Sequence, residues 1–209
     1  PAEAIVAAGQ HVMRGELIAR AAGAVSANVH ASVSGEVKAV EERADGRGGR
    51  CVHIVIAPDK VCEDAFLPPL SAPDAEAIVE RIEACGIVGM GGAGFPAHVK
   101  LRPPVPVDTL IVNGAECEPY LTCDDVLMKH RSKEIVRGAK YMAKALGVNN
   151  IIVAIERNKP EAIALFEQTD LTVVALKKQY PMGAEKQLIY GCTGRKVPLG
   201  KLPAHAGVM

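Results

Sequence analysis

The chain has 209 residues, 49% hydrophobic and 23% charged, with 24 basic residues balanced by 24 acidic ones. This is the composition of a globular protein with one sizeable core or two modest ones. Zero formal charge, 3% aromatics and no Trp argue against a nucleic-acid binder, which needs a basic face and stacking platforms.

The longest apolar runs, such as Ile151-Ile152-Val153-Ala154-Ile155, are far too short to cross a bilayer, and the N-terminus carries no signal-peptide pattern. A soluble chain with no direct membrane insertion is expected, although it could sit on a membrane complex. None of the six cysteines (Cys51, Cys62, Cys85, Cys117, Cys123 and Cys192) forms a Cys-x-x-Cys pair, so the usual iron–sulfur and zinc-ribbon spacings are missing. They read as scattered reduced thiols of a cytoplasmic protein. With Pro at position 1 and no closing element before Met209, both ends read as cut.

From residue 1 to about 57 the pattern is one of short strands. Ile5-Val6, Glu16 to Ala19, Val29 to Ala31, Gly35 to Val40 and Val52 to Ile56 are separated by turn-forming Gly, Asn and Asp. Gly9 to Ala19 and Ala31 to Val37 resemble the two halves of a biotinyl/lipoyl-type barrel-sandwich domain. Carriers of that class hold their cofactor on a lysine at a hairpin tip. The stretch from Ile18 through Gly23 and Ser26 to His30 has no lysine, so a structural barrel is expected. His11, His30 and His53 are widely spaced, with no acidic or cysteine partner beside them, and no metal site is expected.

Pro68-Pro69-Leu70-Ser71-Ala72-Pro73 reads as a stiff linker between a β region over 1–67 and an α/β domain over 74–209. Ser71 or Asp74 can cap a helix carrying Ala77, Ile78, Ile82 and Cys85 at helical spacing, ending at Gly86. Val107 to Val112 is a buried strand, Asp125 to Leu146 a long helix begun by Asp124 and Asp125, and Asn150 to Glu156 a second strand. A helix over Pro160 to Gln168, a strand over Leu171 to Leu176 and a helix over Glu185 to Tyr190 follow. Alternating strands and helices predict a Rossmann-like parallel sheet, whose ligands bind beyond the C-terminal strand ends. Asn113 to Pro119, Glu156 to Lys159 and Tyr180 to Lys186 occupy those ends, so the topology itself predicts a site there.

Two clusters carry candidate chemistry. Gly89-x-Gly91-Gly92-x-Gly94 exposes backbone N–H groups and permits close approach of an anion or flat ring. It follows a helix, which excludes the Rossmann fingerprint, and no Gly-Lys-Ser/Thr ends it, which excludes a Walker A loop. By itself it could be a plain turn. Phe95 could stack on a ring, however, and Lys100 could pair with a phosphate. Asn113-Gly114-Ala115-Glu116-Cys117-Glu118-Pro119 places an amide and two carboxylates at a strand end, suited to ring carbonyls and ribose hydroxyls. No nucleophile or water-activating partner accompanies the carboxylates, so no catalytic acid, base or nucleophile is assigned.

Gly86 to Lys100, Val107 to Met128 and Tyr180 to Pro198 together resemble the RnfC subunit of the Rnf electron-transport complex, and more distantly the flavin subunit of respiratory NADH dehydrogenase. The resemblance covers nearly the whole chain and implies an FMN domain that accepts hydride from NADH. It implies that Gly89, Gly91, Gly92 and Gly94 line the FMN and nucleotide pocket, that Phe95 stacks on the NADH adenine, and that Lys100, Asn113 and Glu116 contact FMN. Glu118 and, with Gly183, Glu185 would face NADH. Ala115 and Ala184 stand where the respiratory relatives carry acidic residues.

The resemblance further implies an FMN-phosphate segment just past Met209 and four-iron clusters beyond it. It also implies partner subunits of an electron-transport complex and a peripheral place on the cytoplasmic face of the membrane. Two alternatives share these residues: an RnfC-like donor to a soluble reductase of the proline reductase-associated type, and a scaffold module that has lost its flavin.

Overall fold

The computed structural model describes residues 2–46, 48–90 and 94–209. By spatial contact they form two units, Pro1–Pro73 with Val79–Val99, and Asp74–Ile78 with Lys100–Met209.

The first unit begins with six strands: β1 (Ala2–Ala4), β2 (His11–Val12), β3 (Leu17–Ala21), β4 (Val29–His30), β5 (Gly35–Ala44) and β6 (Arg50–Pro58). They make two antiparallel sheets, ordered β1-β3-β4 and β2-β5-β6. Strand alternation turns Val37 inward and Glu36 and Lys38 outward. Val6, Val12, Ile18, Ala31 and Val37 form the core, backed by Val40, Ile54 and Ile56. The first strand lies just before Ile5-Val6, and the two-residue β2 is too short to leave a periodic signal in the sequence. Gly35 is required by close approach, because a Cβ there would run into the backbone carbonyl of Ala57 on β6. The three histidines do not converge. His11 Nε2 lies 2.8 Å from Asp59, whereas the His53 ring faces the Cys51 carbonyl on its own strand.

Helix α1 (Ala75–Ala84) starts as the capping pattern predicts, with Asp74 Oδ1 accepting the Ala77 N–H at 2.8 Å. The short α2 (Ala97–Lys100) follows the glycine-rich segment.

The second unit is the predicted parallel sheet, with β7 (Thr109–Gly114), β8 (Asn150–Glu156) and β9 (Thr172–Leu176) in that spatial order. Helices α3 (Cys123–His130), α4 (Ser132–Leu146), α5 (Pro160–Glu167) and α6 (Glu185–Thr193) pack around it. Central β8 is buried on both faces, as expected of an inner parallel strand. Val153 and Ile155 meet Phe166, Met128 and Ala139 in one cluster, whereas Ala154 meets Ala115, Leu176 and Leu188 in another. Ile155→Val is expected to cost about 0.5–1.5 kcal/mol, read from urea unfolding.

The single helix expected over 125–146 is two. Arg131 leaves helical geometry at φ −131°; its N–H ends α3 on the Leu127 carbonyl, and its own carbonyl accepts the Ile135 N–H that opens α4. The break keeps Met128 of α3 and Ala139 of α4 in the same core. The C-terminal residues pair with the sheet. Met209 exchanges backbone hydrogen bonds with Thr109 (2.9 Å) and Ile111 (2.7 Å), so this segment runs alongside β7.

Candidate functional site

The C-terminal ends of the three strands surround a cleft of about 570 Å³, within the usual range for small-molecule sites. It is lined by the loop Glu116–Thr122 after β7, by Glu156 at the end of β8 with Asn158 and Lys159 after it, and by Lys178, Gln179 and Tyr180 after β9. A second depression of about 530 Å³ lies at the opposite end of the sheet, around Gly147–Ile151 and Asp170–Thr172, away from the rim where parallel sheets hold ligands.

One ion pair organises the cleft. The Lys159 ammonium, its side chain only 10% exposed, lies 3.1 Å from Glu116 Oε2 and 3.9 Å from Asp125 Oδ2. The Glu116 carboxylate, its side chain 1% exposed, also accepts the backbone N–H groups of Asp124 (2.8 Å) and Asp125 (3.4 Å). It therefore caps α3 from a distance, where negative charge is favoured by the helix dipole. Asp124 and Asp125, expected as the caps that begin this helix, sit instead inside its first turn, and the N-cap residue Thr122 makes no side-chain capping bond. Burial pushes the Glu116 pKa up, but the Asp124 amide and Lys159 outweigh it, leaving the carboxyl below its ordinary value. The Cys123 thiol is held above its ordinary value by the Glu116 carboxylate beside it and by burial.

Glu156, expected only as a strand-end residue, is 1% exposed, and its Oε1 has no hydrogen-bond partner among the described residues. Burial raises its pKa, against the pull of Lys159 and Lys178, and the Glu116 charge raises it further. A folded-state pKa above the unfolded value gives stability that is present at low pH and is lost as pH rises through the raised value. Glu156→Gln should therefore raise the unfolding midpoint at pH 8 and leave it nearly unchanged at pH 4, as followed by thermal melts across that range.

The expected site residues are distributed over both units. Gly89, Gly94 and Phe95 belong to the first unit, where the loop closes on itself through Gly89 N–H to Phe95 O (2.9 Å) and Gly94 N–H to Gly89 O (3.2 Å). Gly91 and Gly92 lie outside the described residues. Lys100, Asn113, Glu116, Glu118, Gly183 and Glu185 belong to the second unit. Glu118 is exposed on the cleft wall, Lys100 is exposed at the end of α2, and Glu185 is exposed in the first turn of α6. Asn113 donates from Nδ2 to the Gly183 carbonyl and accepts the Ala115 N–H, both at 3.0 Å. Gly183 N–H in turn lies 3.3 Å from Cys117 Sγ.

Sequence reasoning placed Lys159 at the predicted rim without a role and missed Tyr120, which lines the cleft. The Lys159–Glu116 pairing spans 43 positions, with no local spacing to announce it. Glu116, Cys123 and Asp124 are close enough to share a metal ion. Glu116 is already engaged by Lys159 and two amides, which leaves that set poor in free donors.

Cys192 on α6 packs against the core cluster of Ala115, Ala154, Leu176 and Leu188, and burial pushes its thiol up to about 11. Only about a thousandth of it is then thiolate at pH 8. Iodoacetamide at that pH should label exposed Cys51, Cys62 and Cys85 well before Cys192, as counted by peptide mass spectrometry.

Comparison with known proteins adds two domain matches: residues 82–209 fit the Nuo51 FMN-binding domain, and residues 1–61 the RnfC barrel sandwich hybrid domain. Over its full length the chain is 45% identical to the C subunit of the Na(+)-translocating ferredoxin:NAD(+) oxidoreductase complex of Acetobacterium woodii, covering 50% of that protein. It is equally similar, at 45%, to the proton-translocating counterpart of Clostridium ljungdahlii, covering 48% of it. The C subunit of the ion-translocating oxidoreductase complex of Rhodobacter capsulatus is also 45% identical and is 43% covered. The chain thus spans about half the length of the curated relatives it matches. Among solved structures, an NAD+-reducing [NiFe]-hydrogenase in the H2-reduced state aligns with TM-score 0.50 and 28% identity, over 56% of this chain and 24% of the hydrogenase chain.

Proposed function

Since the chain belongs to the Nuo51 FMN-binding domain family and is a homologue of the RnfC subunit of Rnf complexes, we propose that it is an FMN-dependent electron-input module that takes reducing equivalents from NADH. The observation that carries this reading is the cleft at the three strand ends, inside the segment that fits the FMN-binding domain. Its residues suit a flat, anionic ligand with polar edges: cationic Lys178, the Asn158 amide and two tyrosines. The relatives whose names carry ferredoxin:NAD(+) oxidoreductase, and the NAD+-reducing hydrogenase, support a pyridine nucleotide as the second ligand.

FMN, when bound, supplies the redox chemistry, taking two electrons together and releasing them singly. The chain's residues bind and orient. Asn113 holds the loop after β7 against the Gly183 turn, Lys159 fixes Glu116 at the α3 N-terminus, and Glu118 and Glu185 offer exposed carboxylates to ribose hydroxyls. Glu116 acts through the loop it fixes, its carboxylate being spent on protein donors. The family resemblance assigns further nucleotide contacts to Gly89, Gly94 and Phe95 of the first unit, to Gly91 and Gly92 outside the described residues, and to Lys100. On this reading the electrons pass to four-iron clusters of the same subunit outside these 209 residues, at the cytoplasmic face of the membrane. Among the described residues, no helix is long and apolar enough to cross it.

The test is an anaerobic titration of the FMN-reconstituted protein with NADH. Bleaching of the flavin absorbance is the expected result. FMN binding with an unchanged spectrum on NADH addition would reject the NADH half, and failure to bind FMN would reject the flavin half.

A further inference from the structure

Tyr120 stands at the mouth of the cleft in a way that folding alone does not explain. Its side chain is fully exposed, so it contributes no buried surface to the unit that carries it. Its backbone lies at φ +66°, in the left-handed region that side chains with a Cβ disfavour and that Gly or Asn fill where the side chain is indifferent. Ala72 is the only other non-glycine residue with positive φ among the described residues, and it lies in the proline-rich linker. Strain of this kind persists where a side chain is held for a ligand.

A second observation is the company it keeps. The chain has four Tyr, three Phe and no Trp, yet Tyr120 and the 64%-exposed Tyr180 both line this one cleft, on loops following different strands. Lys178, Asn158 and Glu118 line the same cleft. Exposed aromatic rings in a cleft with a polar, partly cationic lining match a ligand that is flat at one end and hydrogen-bonding or anionic at its edges.

From this geometry we propose that Tyr120 is a ligand-binding residue, its ring serving as the stacking platform for the planar heterocycle of a nucleotide held in the cleft. The inference rests on the nucleotide reading of the site and assigns the ring-binding role to a residue outside the expected set. The ring matters and the hydroxyl does not, since stacking uses the π-face. On this reading the left-handed turn is retained because it presents the ring to the ligand.

The experiment compares the wild-type chain with Tyr120→Phe and Tyr120→Asn. Binding of FMN is followed by flavin fluorescence, and binding of NADH to the FMN-loaded protein by quenching of NADH emission. Asn accepts the left-handed backbone, so Tyr120→Asn should melt no lower than wild type. It should bind one of the two ligands about 5- to 150-fold more weakly, the range expected for loss of one stacked ring. Tyr120→Phe should bind as wild type does. The ligand whose affinity falls identifies the ring that stacks, flavin or pyridine nucleotide. If Tyr120→Asn binds both ligands within twofold of wild type, or if Tyr120→Phe loses as much as Tyr120→Asn, the stacking role is overturned and the nucleotide reading stands. If wild type binds neither ligand, the nucleotide reading falls and the stacking role falls with it.

Discussion

Lys159→Met is expected to lower unfolding free energy by about 3–5 kcal/mol, the usual cost of breaking a buried ion pair from one side. The ammonium is the only cation within ion-pair distance of Glu116 among the described residues, and the carboxylate it leaves behind is 1% exposed. Removing it strands a charge that two backbone amides cannot fully compensate. The pH dependence identifies the cause. In the wild type the Glu116 pKa is depressed, so its contribution is present above the ordinary carboxylate value and is lost as pH falls through the lowered one. Without the lysine, one of the groups that lower the Glu116 pKa is gone and the carboxyl takes up a proton more readily, so the deficit should shrink as pH falls from 8 toward 4. A second change, Glu116→Gln, removes the stranded charge and should return part of the loss. Urea unfolding of the two single variants and the double variant at three pH values measures this. A deficit independent of pH would place the cost in lost packing of the lysine stem.

Gly183→Val should separate the two loops that form one side of the cleft. Any Cβ at Gly183 would collide with the backbone carbonyl of Ala115 and approach Cys117 Sγ to 3.1 Å. A backbone oxygen cannot swing away as a side chain can, so one loop must move and take the Asn113–Gly183 hydrogen bond with it. Overpacking of this kind costs about 1–3 kcal/mol. The displaced rim should lower FMN affinity by at least about tenfold, equivalent to one neutral hydrogen bond lost in a closed site. Gly191→Ala serves as the comparison. Its nearest obstacle is the movable end of the Leu176 side chain at 3.3 Å, and it lies within α6, where Ala is the better helix former. It should stay within about 1 kcal/mol of wild type and bind FMN normally, as read by fluorescence titration and unfolding. Equal FMN affinity in both variants would detach the Gly183 turn from the site.

Much of the fold was legible because it is written in local patterns. The run Ile151 to Ile155 between Asn150 and Glu156 could only be a buried strand, and Asp74 three residues before Ala77 announced a helix start. Of the strand ends expected to form one site, at Asn113 to Pro119, Glu156 to Lys159 and Tyr180 to Lys186, the cleft takes Glu116 to Pro119, Glu156, Asn158, Lys159 and Tyr180, and it adds Lys178 and Gln179 from just before the third. What could not be read was long-range. Nothing near Asp125 tells of the break at Arg131, which is settled by a core shared between Met128 and Ala139. Glu116 invited a reading as an open acidic contact. Only the folded chain brings Lys159 onto it and turns it into the cap of α3. Tyr120 was invisible for the opposite reason, since its backbone angle is not recorded in composition or spacing.

The clasp between Asn113 and Gly183 has a mechanical consequence. β7 and β9 flank β8 on opposite sides, so adjacent-strand spacing puts their ends roughly 10 Å apart, too far for one amide side chain to bridge. The backbone leaving β9 must therefore arch back over the end of β8 before Gly183 can meet Asn113 on one side and Cys117 on the other. The two outer loops become a single span with its footings on opposite sides of the sheet, and Glu156 lies at the strand end beneath it. Such a span resists opening at either end alone. Amide hydrogens at Ala115 and Gly183 should thus exchange with solvent in the same event and at the same rate, and a ligand should reach the cleft around the span rather than through it.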